Sequence, residues 1–143
     1  MAARDWDAEI DAWTERFRHI PDPPPVFARA IAEGWDPAQK QALADEAQAY
    51  AERHAGWMAQ ITADGWDLVR LDIRAPCGAC ARYDGSAYSA TGATPDLPPP
   101  PPLPICPACR HTLNLLTPYF MQSLGIHHED LVADAVPYEP IEG

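Results

Sequence analysis

The sequence predicts a mainly α-helical fold with one small inserted β-hairpin module. Apolar residues recur every three or four positions over 5–20, 37–63 and 112–124, which is the periodicity of amphipathic helices. Residues 66–74 instead alternate apolar with charged side chains, as a half-buried strand does. All four cysteines of the chain lie between this strand and the last helical stretch, in two closely spaced pairs.

The first predicted element is an amphipathic helix within residues 1–20. Its apolar side chains follow one another at steps of four, three, four and three, so they share one face. They are Trp6, Ile10, Trp13, Phe17 and Ile20. We expect the face of Trp6, Trp13 and Phe17 to pack against the chain's own body or to bind a partner protein, because large aromatic side chains gain most from burial.

Residues 21–65 are predicted to form a second helical region. The proline-rich connector 21–25 cannot continue the first helix and is expected to be extended. A short helix over 26–33 follows, and Gly34 is a typical helix end. Asp36 at a helix N-cap with proline after it then predicts a longer helix over 37–63.

Residues 66–125 are predicted to contain the β module, a polyproline loop and one helix. The strand 66–74 leads into the first cysteine pair, and Asp84-Gly85 is a turn signal for a hairpin flanked by tyrosines. Five consecutive prolines, 98–102, predict a polyproline II segment. This segment is either a ligand for an aromatic groove on a partner or a stiff spacer within the loop.

A helix over 112–124 is predicted to follow the second cysteine pair. Pro118 restarts or kinks it in this interpretation, and Gly125 ends it. Residues 126–143 form an acidic tail with a short helical stretch near 129–135, and its end is expected to be mobile unless a partner holds it. The tail and the proline-rich segments are further candidate contact surfaces for a protein partner.

Composition and charge narrow the range of partners. Ten basic residues stand against 21 acidic ones, which gives a net charge of −11, and Lys40 is the only lysine. Nucleic acid and anionic membranes are therefore disfavoured, because both require a basic surface. The N-terminus has no apolar core of a secretory signal, so we expect a cytoplasmic protein, or a virion protein if the chain comes from a phage.

The candidate functional residues are the four cysteines, Cys77, Cys80, Cys106 and Cys109. Two C-x-x-C pairs about 25 residues apart typically hold one tetrahedral metal ion, and in a reducing compartment they indicate metal rather than disulfides. Four thiolates leave no open coordination position. The pattern therefore predicts one structural Zn²⁺ per chain and no catalytic residues.

The cysteine-bearing region resembles two classes of zinc finger. In zinc ribbons, two cysteine turns on two hairpins face each other. In treble clefs, a cysteine turn and a hairpin precede a helix that carries the last two ligands in its first turn. The run from Cys106 to His111, followed by Leu113 and Leu116, is similar to the second class and implies such a helix. Neither resemblance implies one particular function.

A narrower resemblance is to the cysteine-bearing segment of phage minor head (head-morphogenesis) proteins. The shared pattern is a C-x-x-C pair, an Asp-Gly turn with a tyrosine nearby, and a Leu-Pro step before the last cysteines. The matching residues are Cys77, Cys80, Asp84, Gly85, Tyr88, Leu103, Pro104 and Cys106. The family usually ends in His-Pro-x-Cys-Arg-Cys, whereas this chain has Cys-Pro-Ala-Cys-Arg. The resemblance implies a structural role in a viral particle or its assembly.

Rubredoxins, which bind iron through similarly spaced pairs, provide the alternative metal. They normally have glycine directly after the second cysteine of each pair, whereas this chain has Ala81 and Arg110. His111 is an alternative ligand or a neighbour of the site, and no established catalytic motif is present. The sequence thus favours a non-enzymatic, zinc-stabilised structural or adaptor protein. Iron-based electron transfer and a zinc finger associated with nucleic acid are the alternatives.

Overall fold

The computed structural model describes residues 4–140, in which five α-helices surround a three-stranded antiparallel sheet. The helices are α1 (Trp6–Phe17), α2 (Pro25–Glu33), α3 (Pro37–Ala63), α4 (Pro118–Leu124) and α5 (His128–Asp134). The strands are β1 (Leu68–Arg74), β2 (Ala87–Ser89) and β3 (Arg110–Leu115). The mainly α fold with a small β hairpin is confirmed.

The N-terminal helices begin where the sequence places their caps. Asp5 accepts a hydrogen bond from the Ala8 N–H at 3.1 Å, and Asp36 accepts one from the Gln39 N–H at 3.2 Å. Each carboxylate satisfies a backbone donor that the first helical turn leaves free. Lys40 then links α3 to α1 through ion pairs with Asp7 and Asp11 at 3.0 and 2.8 Å.

The aromatic face of α1 lies in the protein's own core. Trp6, Trp13 and Phe17 are only 6%, 3% and 2% exposed, and Trp13 and Phe17 belong to the core cluster that includes residues of α2, α3 and the sheet. The Trp6 indole also donates to Gln48 on α3 at 2.8 Å. The prediction that this face binds a partner is therefore wrong, because burying the three rings within the chain leaves them inaccessible.

The sheet has the order β2-β1-β3, with both outer strands antiparallel to β1. The turn at Asp84-Gly85 is present, and Gly85 has a φ of +83°, which glycine adopts without steric cost. The predicted hairpin is correct in its turn but not in its strands. Tyr83 lies in a short 3-10 helix, Ala81–Tyr83, and β2 pairs with β1.

The predicted helix over 112–124 is wrong in its first half. Residues 110–115 form β3, which pairs with β1 along its whole length, and only Pro118–Leu124 is helical. Strand pairing satisfies the backbone groups along one edge of β1, which a helix in this position would leave unpaired. Thr117 caps α4 by accepting from the Phe120 N–H at 3.1 Å, so Pro118 starts a new helix rather than kinking a long one.

The acidic tail is helical where predicted and is held against the protein beyond that point. After α5, the Val136 N–H donates to Ser86 Oγ at 2.8 Å and the Val136 carbonyl accepts from the Tyr88 hydroxyl at 3.0 Å. The Glu139 N–H donates to the Tyr83 hydroxyl at 3.1 Å. These contacts attach residues 136 and 139 to the segment around β2, whereas the mobility of the tail's end stays a prediction and residues 141–143 lie outside the described part.

The polyproline segment runs beside the sheet. The Pro98 carbonyl accepts from the Ser89 N–H of β2 at 3.0 Å, and Pro101 is fully buried. The segment thus covers the edge of β2, as a spacer within the loop would. Among the helices of residues 4–140, none combines the length and apolar character that crossing a bilayer requires.

Candidate metal centre

The register of β1 and β3 explains why the two cysteine pairs meet. Arg74, the last residue of β1, lies opposite Arg110, the first residue of β3. The first cysteine pair follows β1 and the second precedes β3, so both pairs emerge at the same end of two neighbouring antiparallel strands. Positions separated by a long loop in sequence therefore become adjacent in space.

The cysteine sulfurs form one compact group. The Sγ atoms of Cys77, Cys80, Cys106 and Cys109 all lie within 4.8 Å of one another, and all four cysteines are free. A tetrahedral zinc ion with Zn–S bonds of about 2.3 Å requires sulfurs about 3.8 Å apart. The Cys106 and Cys109 sulfurs are 3.6 Å apart. The arrangement therefore fits a tetrahedral metal ion.

Local backbone hydrogen bonds shape both cysteine turns. The Cys77 carbonyl accepts from the N–H groups of Cys80 and Ala81 at 3.1 and 3.0 Å, which closes the first turn. The Cys77 N–H points at Cys109 Sγ at 3.4 Å, and the Ala108 N–H points at Cys106 Sγ at 3.4 Å. Such donors stabilise negative charge on sulfur and so favour bound thiolates.

The electrostatics of the cluster favour a bound cation. Hydrogen bonds with the sulfurs of Cys106 and Cys109 lower the pKa of Cys77. Hydrogen bonds with the same two sulfurs raise the pKa of Cys80. Burial opposes ionisation of both thiols. Four thiolates this close repel one another, and a divalent cation among them offsets both the repulsion and the desolvation.

His111 supports the second cysteine turn and is not a member of the cluster. Its ring is only 3% exposed, and Nε2 accepts from the Ile105 N–H at 3.3 Å. Nδ1 lies 3.0 Å from the Cys109 carbonyl, so the neutral tautomer with a proton on Nδ1 satisfies both contacts. Burial lowers the pKa of His111 to about 4, which keeps the ring neutral near pH 7.

The long helix α3 is attached to the same region through one tyrosine. The Tyr50 hydroxyl donates a hydrogen bond to the His111 backbone carbonyl in β3. His54, one turn further along α3, stacks on Tyr50 with the ring planes 11° apart and makes no contribution to the cysteine cluster. The helix thus contacts the strand that follows the second cysteine pair.

Gly78 allows the first cysteine turn to pack tightly on the N-terminal helical layer. An added Cβ would lie 2.8 Å from Ile20 Cγ2 and would overlap the Pro21 carbonyl oxygen. The Gly78 N–H also faces the Asp22 carbonyl at 3.4 Å. The close approach of another chain segment is therefore what requires glycine at this position.

The four predicted ligands are thus brought together, and the remaining histidines are not. Within residues 4–140 no second group of metal-ligating side chains meets the same distance criterion. His127 caps α5, where its N–H donates to Asp130, and His128 lies 3.7 Å from Asp96. Of the two interpretations of His111, alternative ligand or neighbour of the site, the structure shows the neighbour. The contact made by Tyr50 was not predicted, because no local pattern links it to the cysteines.

The helix that a treble clef would place directly after the last cysteines is absent there, because β3 occupies that position. The two turns instead face each other from the ends of adjacent strands. Comparison with known proteins finds no matching family model, no matching curated protein and no matching solved structure.

Proposed function

We propose that this chain is a non-enzymatic, zinc-stabilised structural or adaptor protein that binds another protein. The observation that carries the proposal is the cluster of four cysteine sulfurs that lie within 4.8 Å of one another. Four sulfur ligands complete a tetrahedral shell, so a metal held there has no position free for a substrate. We assign one Zn²⁺ per chain to Cys77, Cys80, Cys106 and Cys109.

The surroundings of the cluster support a structural rather than a reactive role. Cys77, Cys80 and Cys106 are buried and belong to the same core cluster as Trp13 and Phe17 of α1. Metal binding then contributes directly to folding, as in other small proteins whose metal supplements a limited apolar core. Buried, fully coordinated thiolates are also poor nucleophiles.

The resemblance to phage minor head proteins supports a more specific version, in which the chain is a component of a virion or its assembly. In the cellular version, the chain is a cytoplasmic adaptor. Free thiols suit a reducing compartment in either case. The negative charge of −11 favours a basic protein partner over nucleic acid.

Metal analysis of the full-length protein tests the proposal. We expect one zinc per chain and no visible absorbance. Cys77→Ser and Cys106→Ser should each lose the metal and unfold, because structural zinc typically contributes about 10–16 kcal/mol to folding in small zinc domains. Ala81→Ser is the matched control, since position 81 follows Cys80 but is exposed and offers no sulfur. It should retain both metal and fold.

The alternatives predict different results in the same preparation. Iron with strong visible absorption bands and a reversible reduction potential would indicate an electron-transfer protein rather than an adaptor. Retention of DNA or RNA that weakens with salt above about 50 mM would indicate a nucleic-acid-associated zinc finger. Unchanged metal content and melting in Cys77→Ser would contradict the assigned ligands.

A further inference from the structure

An apolar groove lies on the face of the protein defined by the start of β1 and by α4. Its volume is about 670 Å³, within the range of sites that hold a ligand of drug size. Its apolar lining comes from the start of β1 and from the helical C-terminal part, through residues Trp66, Leu68, Leu116, Met121 and Ile126. These contacts place the groove apart from the cysteine cluster.

One of the large apolar side chains left exposed on the protein belongs to the groove wall. Of the described residues, the large apolar ones left exposed are Trp66, Tyr119, Leu124 and Val132. Trp66 is part of the groove wall and is 39% exposed, and the other three lie on α4 and α5. Met121 adds a flexible, polarizable side chain that adapts to varied partners. An apolar groove with a partly exposed tryptophan in its wall is typical of an interaction surface.

Among the described residues, the groove wall contains one carboxylate, Asp67, and no lysine or arginine. Burial raises the pKa of the Asp67 carboxyl, but hydrogen bonds from Thr91, Thr94 and Ser89 lower it by more. The resulting pKa is about 2, so Asp67 is ionised near pH 7. Asp130 accepts from the N–H of His127, another wall residue. The sequence from residue 111 to the end contains no lysine or arginine.

We propose that this groove is the adaptor surface and that it binds a short basic, apolar segment of a partner protein. Apolar side chains of that segment enter the groove between Trp66 and Met121. Its lysine or arginine residues lie on the side of the groove that contains Asp67. The inference rests on the proposed adaptor function and adds the place and the chemistry of the contact. Complementary charge would steer the partner to this face and select against acidic segments.

Labelled peptides of about four helical turns test the proposal against the zinc-loaded full chain. The probe carries leucine at helical spacing with lysine elsewhere, and its counterpart replaces every lysine by glutamate. We expect fluorescence anisotropy to show saturable binding of the leucine–lysine peptide, at least about tenfold tighter than that of the leucine–glutamate peptide. Added salt should weaken the binding.

Two variants of α4 with the same change in charge locate the binding site. Met121→Lys places a cation in the groove and should weaken the leucine–lysine peptide by about tenfold or more. Tyr119→Lys is the control, because Tyr119 is 80% exposed and is not part of the groove wall. It should change the affinity by less than about twofold, as expected for screened surface charges. Trp66→Ala provides a second test of the groove, with far-ultraviolet circular dichroism as the check on folding.

Several results would overturn the inference. One is the absence of saturable binding of the leucine–lysine peptide up to about 1 mM. The others are equal affinity for both peptides, and an equal loss of affinity in Met121→Lys and Tyr119→Lys. Sedimentation showing a wild-type dimer that Met121→Lys converts to monomers would assign the groove to a second copy of this chain. Zinc content measured on the same samples distinguishes a failure of the proposed function from a failure of the groove proposal. Loss of zinc contradicts the proposed function, whereas failure to bind with zinc retained contradicts the groove alone.

Discussion

Replacing Gly78 by alanine tests whether the first cysteine turn is docked on the N-terminal helical layer. The new Cβ would meet Ile20 Cγ2 at 2.8 Å and overlap the Pro21 carbonyl oxygen. The Ile20 side chain can rotate, but the Pro21 backbone is fixed between α1 and α2. Overpacking of this kind costs about 1–3 kcal/mol. Alanine also restricts the unfolded chain, which offsets about 0.4–1 kcal/mol. We therefore expect a net loss of about 1–2 kcal/mol in the free energy of unfolding.

Urea unfolding of the zinc-loaded protein measures this difference, and for a chain of this size the melting temperature should fall by about 3–8 °C. Gly56→Ala is the matched control. Gly56 lies inside α3, and no atom lies within 4 Å of the position its Cβ would take. That variant should be more stable by about 0.5–1 kcal/mol, because alanine favours a helix interior. If Gly78→Ala were stabilised to the same extent, the close packing inferred between the turn and the helical layer would be incorrect.

Three further predictions concern the polar contacts. His111→Phe should lower the free energy of unfolding by about 2–4 kcal/mol and speed zinc loss to a chelator, because the Ile105 N–H and the Cys109 carbonyl lose their hydrogen-bond partner. The control is Thr112→Ala at an exposed position, which should change the free energy of unfolding by less than about 0.5 kcal/mol. Tyr50→Phe should cost about 1 kcal/mol in urea unfolding by removing the hydrogen bond to β3, and an unchanged midpoint would argue against that link. Asp67 has its pKa lowered from 3.8 to about 2, so its carboxylate stabilises the fold above pH 3.8 and ceases to do so as the pH falls through about 2. The urea midpoint of Asp67→Asn should therefore lie below that of the parent at pH 7 and approach it in acid, and a gap that stays constant would refute this assignment.

The helical half of the fold could be predicted closely because its signals are local. The four-three rhythm of α1, the Asp36 cap and the end of α3 near Ala63 all depend on residues within a few turns of one another. The four cysteines were also recognisable as a candidate metal site, since C-x-x-C spacing is typical of the local geometry of a metal-binding turn. These parts needed no knowledge of the tertiary fold.

The segment after Cys109 could not be assigned from local pattern. Leucines at 113 and 116 fit a helix, but Leu113 and Leu115 also fit one face of a strand. Pairing with β1, whose residues lie about 40 positions earlier, decides between them. The same limit applies to α1: its stripe was correctly identified, but the sequence did not indicate whether the chain itself or a partner covers it.

The docking of the first cysteine turn on the N-terminal helical layer has a consequence for how the protein can be divided. Gly78 rests on the Pro21 segment, and Tyr50 of α3 contacts the strand that follows Cys109. A fragment restricted to the two cysteine pairs and the sheet would expose the surfaces that these contacts cover. The segment with the four cysteines therefore cannot be moved by itself into another protein. A graft would also require the helices that contact the site.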